Sequence, residues 1–375
     1  MPFGSFVDRF DYLIVGAGFS GAVCAERLAS AGARVLIIDQ RAHVGGNAYD
    51  EEDDAGILVH RYGPHVFHTN SDRVWSYLSQ FTEWRPYEHR VLAAYEGQLL
   101  PVPINRRTLD AFGGDVAAAV SALYAPYTRK QWGCDIADLD PSVLARVAVR
   151  ESDDDRYFLD RYQAMPLLGY TRLITRILAH DRITVVLNMS YALALDVSKP
   201  WDQVIYTGPI DEFFEYRFGR LPYRSAEWSL MTLAVRQAQP VAVVNVPSEK
   251  ILHTRVTEFK HLTGQEHART TLAFEYPTDG RGAPAWPIPT AVNQALYRQY
   301  QALADETPSV SFCGRLGTYQ YLDMDACVLQ ALTLTDRLLG RTDAEPDEET
   351  DRDGFPASHA GRDRRQEGDA AGVER

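Results

Sequence analysis

Residues 10–47 read FDYLIVGAGFSGAVCAERLASAGARVLIIDQRAHVGGN, and no other stretch limits the fold so tightly. An apolar strand over 12–15 runs into Gly16, Gly18 and Gly21. An alanine-rich helix follows over 22–31, then a second apolar strand over 35–38 that leads into Asp39. This order opens a dinucleotide-binding βαβ unit. The glycines permit a tight turn and close backbone approach, the helix N-terminus faces a pyrophosphate, and the acid is placed to hold a ribose hydroxyl pair. A GxGxxG alone also fits an ordinary tight turn, but strand, glycines, helix, strand and acid in register favour the nucleotide reading.

Gly45-Gly46-Asn47 lets backbone approach the same pyrophosphate from the other side, a placement closer to FAD enzymes than to NAD enzymes. The βα alternation then stops and resumes with a helix over 170–179 and strands over 184–187 and 203–208. It closes with a strand over 310–313 and a helix reaching Leu339. Such a gap predicts a discontinuous nucleotide domain with others inserted. Within the gap lie a helix over 74–81, a hairpin around Glu96-Gly97 and helical text over 107–132 and 138–149. Beyond it, TLAVRQAQPVAVVNV, HTRVTEFKHL and TTLAFEYP alternate as an antiparallel sheet, before a helix over 290–306. The expected fold class is α/β, an FAD-binding Rossmann-like domain with an inserted helical domain and an antiparallel β-sheet substrate domain. Their limits are 8–72, 168–215 and 308–341 for the first, 106–167 with a mobile substrate loop for the second, and 73–105 with 216–307 for the third. A polar tail over 342–375 is expected to be disordered.

Composition narrows the function. Lys plus Arg is 38 against 51 Asp plus Glu, a net charge of −13, which opposes a broad nucleic-acid face and requires any anion site to gather its arginines locally. Cys24, Cys134, Cys313 and Cys327 show no metal or disulfide spacing and suit a reducing cytoplasm. No apolar run reaches the length of a membrane span, and the run over 13–23 is spent on the glycine turn, not on a signal-peptide core. In RYGPHVFHTN, Gly63 and Pro64 shape a turn carrying His65 and His68, three apart and next to the cofactor unit. Tyr124, Tyr127 and Trp132 are too many large rings for the core of one short helix, and can face a base or sugar. Arg150 precedes the charge run 151–155, whose bland reading is a solvated loop, and Arg255 lies mid-strand, where the bland reading is a sheet-face charge. With one GxGxxG, any nicotinamide is a transient reductant. Without a nucleophile elbow, zinc spacing or GK[ST] loop, the chemistry is left to the flavin.

IVGAGFSGAV, DQRAHVGGNAYD, YGPHVFHT, YTRKQWG, YFLDRYQAMP, GYTRLI, IYTGPIDEFFEYRFGRLPYRS, HTRVTEFKH and GRLGTYQYLDMD, in that order, resemble bacterial UDP-galactopyranose mutase over about 10–340. The resemblance implies an isomerase, usually a homodimer, in keeping with the cytoplasmic location expected from the cysteines. It interconverts UDP-galactopyranose and UDP-galactofuranose through a sugar adduct on N5 of reduced FAD, without net redox change, and draws on NAD(P)H or another transient reductant. It implies catalytic roles for His65 and His68 beneath the isoalloxazine, and for Arg150 and Arg255 at the pyrophosphate. Each charge-assisted contact there is worth roughly 1.5–3 kcal/mol. Substrate contacts carry over to His89, Tyr127, Thr128, Trp132, Tyr157, Tyr162, Trp286 and Tyr321. FAD contacts carry over to Gly16, Gly18, Ser20, Gly21, Asp39, Gln40, Asn47, His65, Val66, Gly208, Arg315, Leu322, Asp323 and Met324, with no metal ligand.

Three departures mark this chain. The segment between Asn105 and Tyr127 is shorter than the family's, Trp286 stands where a tyrosine is common, and His89 where asparagine is common. They bear on the sugar nucleotide, leaving UDP-N-acetylgalactosamine and a TDP-linked 6-deoxyhexose as alternatives to UDP-galactose. From other classes, an FAD-dependent oxidoreductase of the amine-oxidase type and an inactive FAD-stabilised scaffold share the same βαβ start.

Overall fold

The chain is described by a computed structural model over residues 9–139, 149–197, 201–280 and 282–341. The expected tail over 342–375 and most of the helix expected over 138–149 lie outside the described residues.

Strand β1 (Phe10–Val15) leads through the glycine turn into helix α1 (Phe19–Ser30) and strand β2 (Val35–Asp39). Every residue of β2 is buried, as a central parallel strand covered on both faces requires. The parallel sheet has the order Ile183–Leu187, β2, β1, Trp201–Tyr206, Val310–Phe312, so the chain leaves after two strands and returns for three. Helix α1 owes its burial to small residues, with Ala22, Ala25 and Ala29 letting it lie close to the sheet and to the closing helix Met324–Leu338.

A second sheet of seven strands runs Trp286–Pro287, Tyr223–Leu233, Thr270–Thr278, Arg255–Glu258, Val243–Asn245, Val91–Tyr95, Gln98–Val102. It departs from the antiparallel expectation at one seam, where Val243–Asn245 pairs parallel with Val91–Tyr95. That pairing joins segments about 150 residues apart and leaves no local signal. Three helices, Arg106–Ala111, Val116–Leu123 and Ala125–Trp132, occupy the text read as helical. Asn105 and Asp115 cap the first two by accepting from the backbone N–H three residues on. Phe67–Thr69, Tyr162–Pro166 and Trp84–Pro86 form a small antiparallel sheet that the sequence did not announce, with strands of three to five residues. The helix Tyr191–Val197 was also unforeseen.

Candidate active site

The glycine turns form a cradle. Gly16 has φ 104°, and a Cβ there would lie 2.1 Å from Thr207 Oγ1, so the returning strand presses against the turn. A Cβ on Gly46 would lie 3.0 Å from Gly18 Cα, and the Gly45 N–H donates to Ala17 O at 2.8 Å. Two backbones thus face each other without side chains. Gly18 begins α1 with no side-chain cap, leaving the helix N-terminus to an anion. Asp39 is buried and accepts from Ala17 N and Arg41 N, both at 2.8 Å. It shapes the turn, and its remaining lone pairs suit a ribose. Ser20 is buried beside Gly314, Gly208 follows Thr207, Gln40 is exposed, and Gly21 lies in the first turn of α1. Asn47 accepts from Arg41 Nη2 at 2.9 Å, and the Arg41 guanidinium lies 4.3 Å over Tyr62; Arg41 carried no sequence signal beyond its nearness to Asp39. This geometry fits a dinucleotide pyrophosphate.

The histidine turn abuts this cradle. His65 Nδ1 meets Gly63 O at 2.7 Å, which assigns its proton to Nδ1 and leaves Nε2 as the acceptor. His60 Nδ1 accepts from His65 N at 3.0 Å, and Tyr170 donates to His65 O at 3.3 Å. Burial pulls both His60 and His65 down to about 3, so both are neutral imidazoles. Val66 follows, half-buried. His68 has partners of its own. It lies on the strand Phe67–Thr69, stacked 3.6 Å from Phe158 and paired with Asp160 at 3.0 Å. Burial lowers its pKa, but the Asp160 hydrogen bond and the fields of Asp323 and Asp325 outweigh that and raise it. Burial lifts Asp325 to about 6 against the pull of His68, a neighbour missed by a reading that stopped at Leu322, Asp323 and Met324. Leu322 precedes the closing helix, Asp323 is its N-cap and Met324 its first residue.

Arg255 is gripped from behind. Its Nε donates at 2.6 Å to Glu275, a fully buried carboxylate that also accepts from Thr254 Oγ1 at 3.1 Å. Burial works against the guanidinium charge, yet Glu275 outweighs it and raises the pKa. Glu275 lies opposite Arg255 in the sheet register, and its charge inside the apolar text TTLAFEYP was the signal that could have found it. Arg255 lies 5.9 Å over Trp228, and Trp228 covers Gly63, which links arginine to histidine turn. Around Arg255 stand Tyr127 and Tyr321, and Tyr157 lies within electrostatic reach of Tyr127. Trp132 packs edge-on against Tyr321 at 5.1 Å and Trp286 at 6.4 Å, while Arg315 lies 5.1 Å over Tyr321 and donates to Leu322 O. Thr128 is buried in the same helix, and His89, buried and pulled down to about 3 by burial, meets Tyr87 Oη at 3.1 Å.

Arg150 is placed differently. Its guanidinium donates to the carbonyls of Arg156 and Tyr157, on its own loop, and among the described residues no ion pair joins it to the neighbouring acids. Those acids serve other cations, Asp153 Arg106, Asp154 Arg156 and Asp155 Arg90. Tyr162 stands apart from the rest. It stacks on Trp75 at 4.6 Å and donates its phenol to Asp72 at the surface.

The sequence profile of the UDP-galactopyranose mutase family matches residues 122–321, and that of a NAD(P)-binding Rossmann-like domain matches 14–81. The chain is 36% identical to a probable UDP-galactopyranose mutase of Klebsiella pneumoniae, over 87% of this chain and 94% of that protein. It is 33% identical to a dTDP-fucopyranose mutase of Escherichia coli, over 85% and 96% respectively. Its fold is similar to a crystal structure of reduced UDP-galactopyranose mutase, with a TM-score of 0.71 at 15% identity over 89% of this chain and 94% of the other. The cradle accordingly suits a dinucleotide cofactor, and the chain belongs to the UDP-galactopyranose mutase family.

Proposed function

We propose that this chain interconverts the pyranose and furanose forms of a nucleotide-linked galactose, with UDP-galactose as substrate and reduced FAD as cofactor. The observation that carries the reading is the link from cradle to histidine turn to Arg255, made through Gly63 and Trp228. It supports a cationic, aromatic-lined substrate position beside the cofactor. Reduced flavin, when bound, supplies an electron-rich centre for the anomeric carbon. Gly16, Gly18 and Gly46 with the start of α1 hold its pyrophosphate, and Asp39 its ribose. Neutral His65 offers Nε2 as an acceptor near the ring without adding charge. Arg255, held by Glu275, stabilises the negative charge that grows on the departing diphosphate. Arg150 leaves its loop carbonyls to add a second cation once substrate is present. Tyr127, Trp132 and Tyr321 exclude water and flank the base and sugar.

A second substrate has its own support. The Escherichia coli relative, 33% identical to this chain, is named for dTDP-fucopyranose. The test gives dithionite-reduced protein UDP-galactofuranose and dTDP-fucofuranose separately, with products resolved by chromatography. Faster conversion of the UDP sugar upholds the reading, faster conversion of the dTDP sugar replaces its substrate, and no conversion of either ends it. Among the described residues no helix is long and apolar enough to cross a membrane. A cytoplasmic homodimer that draws on NAD(P)H belongs to the same proposal.

A further inference from the structure

Lys130, inside the motif YTRKQWG, serves none of the roles assigned above. It lies on the helix Ala125–Trp132 that carries Tyr127, Thr128 and Trp132, and its half-buried side chain ends in a cage of carbonyls. Nζ donates to Val246 O at 2.6 Å, to His253 O at 2.7 Å and to Ser248 O at 3.1 Å. An ammonium has three N–H groups, so each is spent. All three carbonyls belong to one loop, 246–254, which joins the strand Val243–Asn245 to the strand Arg255–Glu258. The loop closes on itself through Val246 N to Thr254 O at 2.7 Å and ends beside Arg255. Arg129 reaches Glu249 of the same loop at 2.9 and 3.2 Å, but at the surface, where such a pair is weak. Arg224, from the strand Tyr223–Leu233, donates to the carbonyls of Lys130 and Gln131 at 3.0 and 2.9 Å and so holds the end of the helix.

We infer, resting on the nucleotide-sugar reading above, that Lys130 is a positioning residue: its ammonium binds the loop before Arg255 to the helix that carries the rings, keeping cation and rings in one arrangement around the substrate. Its own N–H groups are taken, so it acts through Arg255 and Tyr127. Three converging carbonyls suit a compact ammonium, whereas a planar guanidinium reaches fewer of them. The ammonium works only while protonated, and burial pulls its pKa down to about 8 against the opposing field of Glu249. The charged groups around it keep their state over the alkaline range. Arg129 holds Glu249 ionised and also pairs with Asp135, Arg224 pairs with Asp279, and His253 is neutral, lowered by burial and by the ammonium itself.

The experiment gives flavin-loaded, dithionite-reduced protein UDP-galactofuranose and measures kcat/KM from about pH 6.5 to 9.5 for wild type, Lys130→Met and Lys130→Arg. Dividing wild type by Lys130→Met at each pH removes every ionisation the two proteins share. The expected ratio is about 10- to 100-fold near neutrality, the cost of a displacement of about 1 Å at the reacting groups, and it falls towards one above about pH 8. Lys130→Arg, charged throughout, should recover part of the loss and hold it at alkaline pH. Amide hydrogen exchange over 246–254, which needs no substrate, should be faster in Lys130→Met than in wild type at neutral pH. A ratio near one at neutrality, a ratio constant with pH, or unchanged exchange would each overturn the inference. Should Lys130→Met lose its flavin, the ratio of wild type to Lys130→Arg decides, a fall above about pH 8 supporting the inference and a constant value overturning it. Failure of wild type to convert UDP-galactofuranose would strike the nucleotide-sugar reading instead, and exchange alone would then decide whether Lys130 ties loop to helix.

Discussion

Glu275→Gln keeps the shape of the side chain behind Arg255 and removes its charge. In the wild type a buried carboxylate holds Arg255 Nε at 2.6 Å and Thr254 Oγ1 at 3.1 Å. Breaking a buried ion pair costs about 3–5 kcal/mol, but the Arg255 side chain keeps 26% of its surface towards solvent, which screens the pair. The expected loss is therefore about 2–3 kcal/mol. It is read by urea unfolding at one fixed FAD concentration, because bound cofactor stabilises by mass action. The released guanidinium also wanders from the diphosphate position, so kcat/KM should fall about 10- to 100-fold, or roughly 1.4–2.8 kcal/mol of transition-state stabilisation. In the double variant Arg255→Met with Glu275→Gln, a large share of the stability loss should return, since no uncompensated charge is left. A Glu275→Gln protein within about 0.5 kcal/mol of wild type and with unaltered kcat/KM would refute the argument that this pair positions the catalytic cation.

Four further outcomes follow from the same geometry. Gly46→Val should abolish flavin retention on gel filtration, because even its Cβ meets Gly18 Cα at 3.0 Å, while the apoprotein keeps its far-ultraviolet circular dichroism. His60, His65 and His89 are all held near 3 by burial, so the unfolded chain binds their protons first as pH falls below the ordinary 6.5. Stability is full above that value and lost on acidification by up to about 1.4 kcal/mol per pH unit for each histidine. His60→Phe should flatten the slope measured between pH 6 and 4. His68 has the opposite sign: its raised pKa gives stability that is full at low pH and fades as pH climbs through it, and His68→Gln should remove that part. Tyr162→Phe should leave KM within about twofold, since the phenol is spent on Asp72; a tenfold rise would return Tyr162 to the substrate contacts.

What could be read from the sequence was local. The strand, turn and helix of residues 10–47 carry their own periodicity and glycines, and the later parallel strands are apolar enough to be recognised one at a time. Pairings between distant segments were invisible. The seam of Val243–Asn245 with Val91–Tyr95, and the sheet uniting Phe67–Thr69, Trp84–Pro86 and Tyr162–Pro166, use strands too short for any period to show. The same limit hid partners within the cleft. Arg255 stood out as a charge in a strand, but its dependence on Glu275 appears only once the two strands are in register. His68 stood out beside His65, but its partners Asp160 and Phe158, some 90 residues along the chain, appear only in the folded protein. Asp325 lay one residue past the recognised contacts, and only burial gives it a pKa near 6.

Redox dependence tests the central claim most directly. Purified protein with bound FAD is given UDP-galactofuranose without oxygen, once oxidised and once after dithionite, and the UDP-galactopyranose formed per flavin is counted. The account predicts many turnovers in the reduced sample, close to none in the oxidised one, and flavin still reduced at the end. Equal conversion in both samples, or flavin reoxidised in step with product, would contradict it.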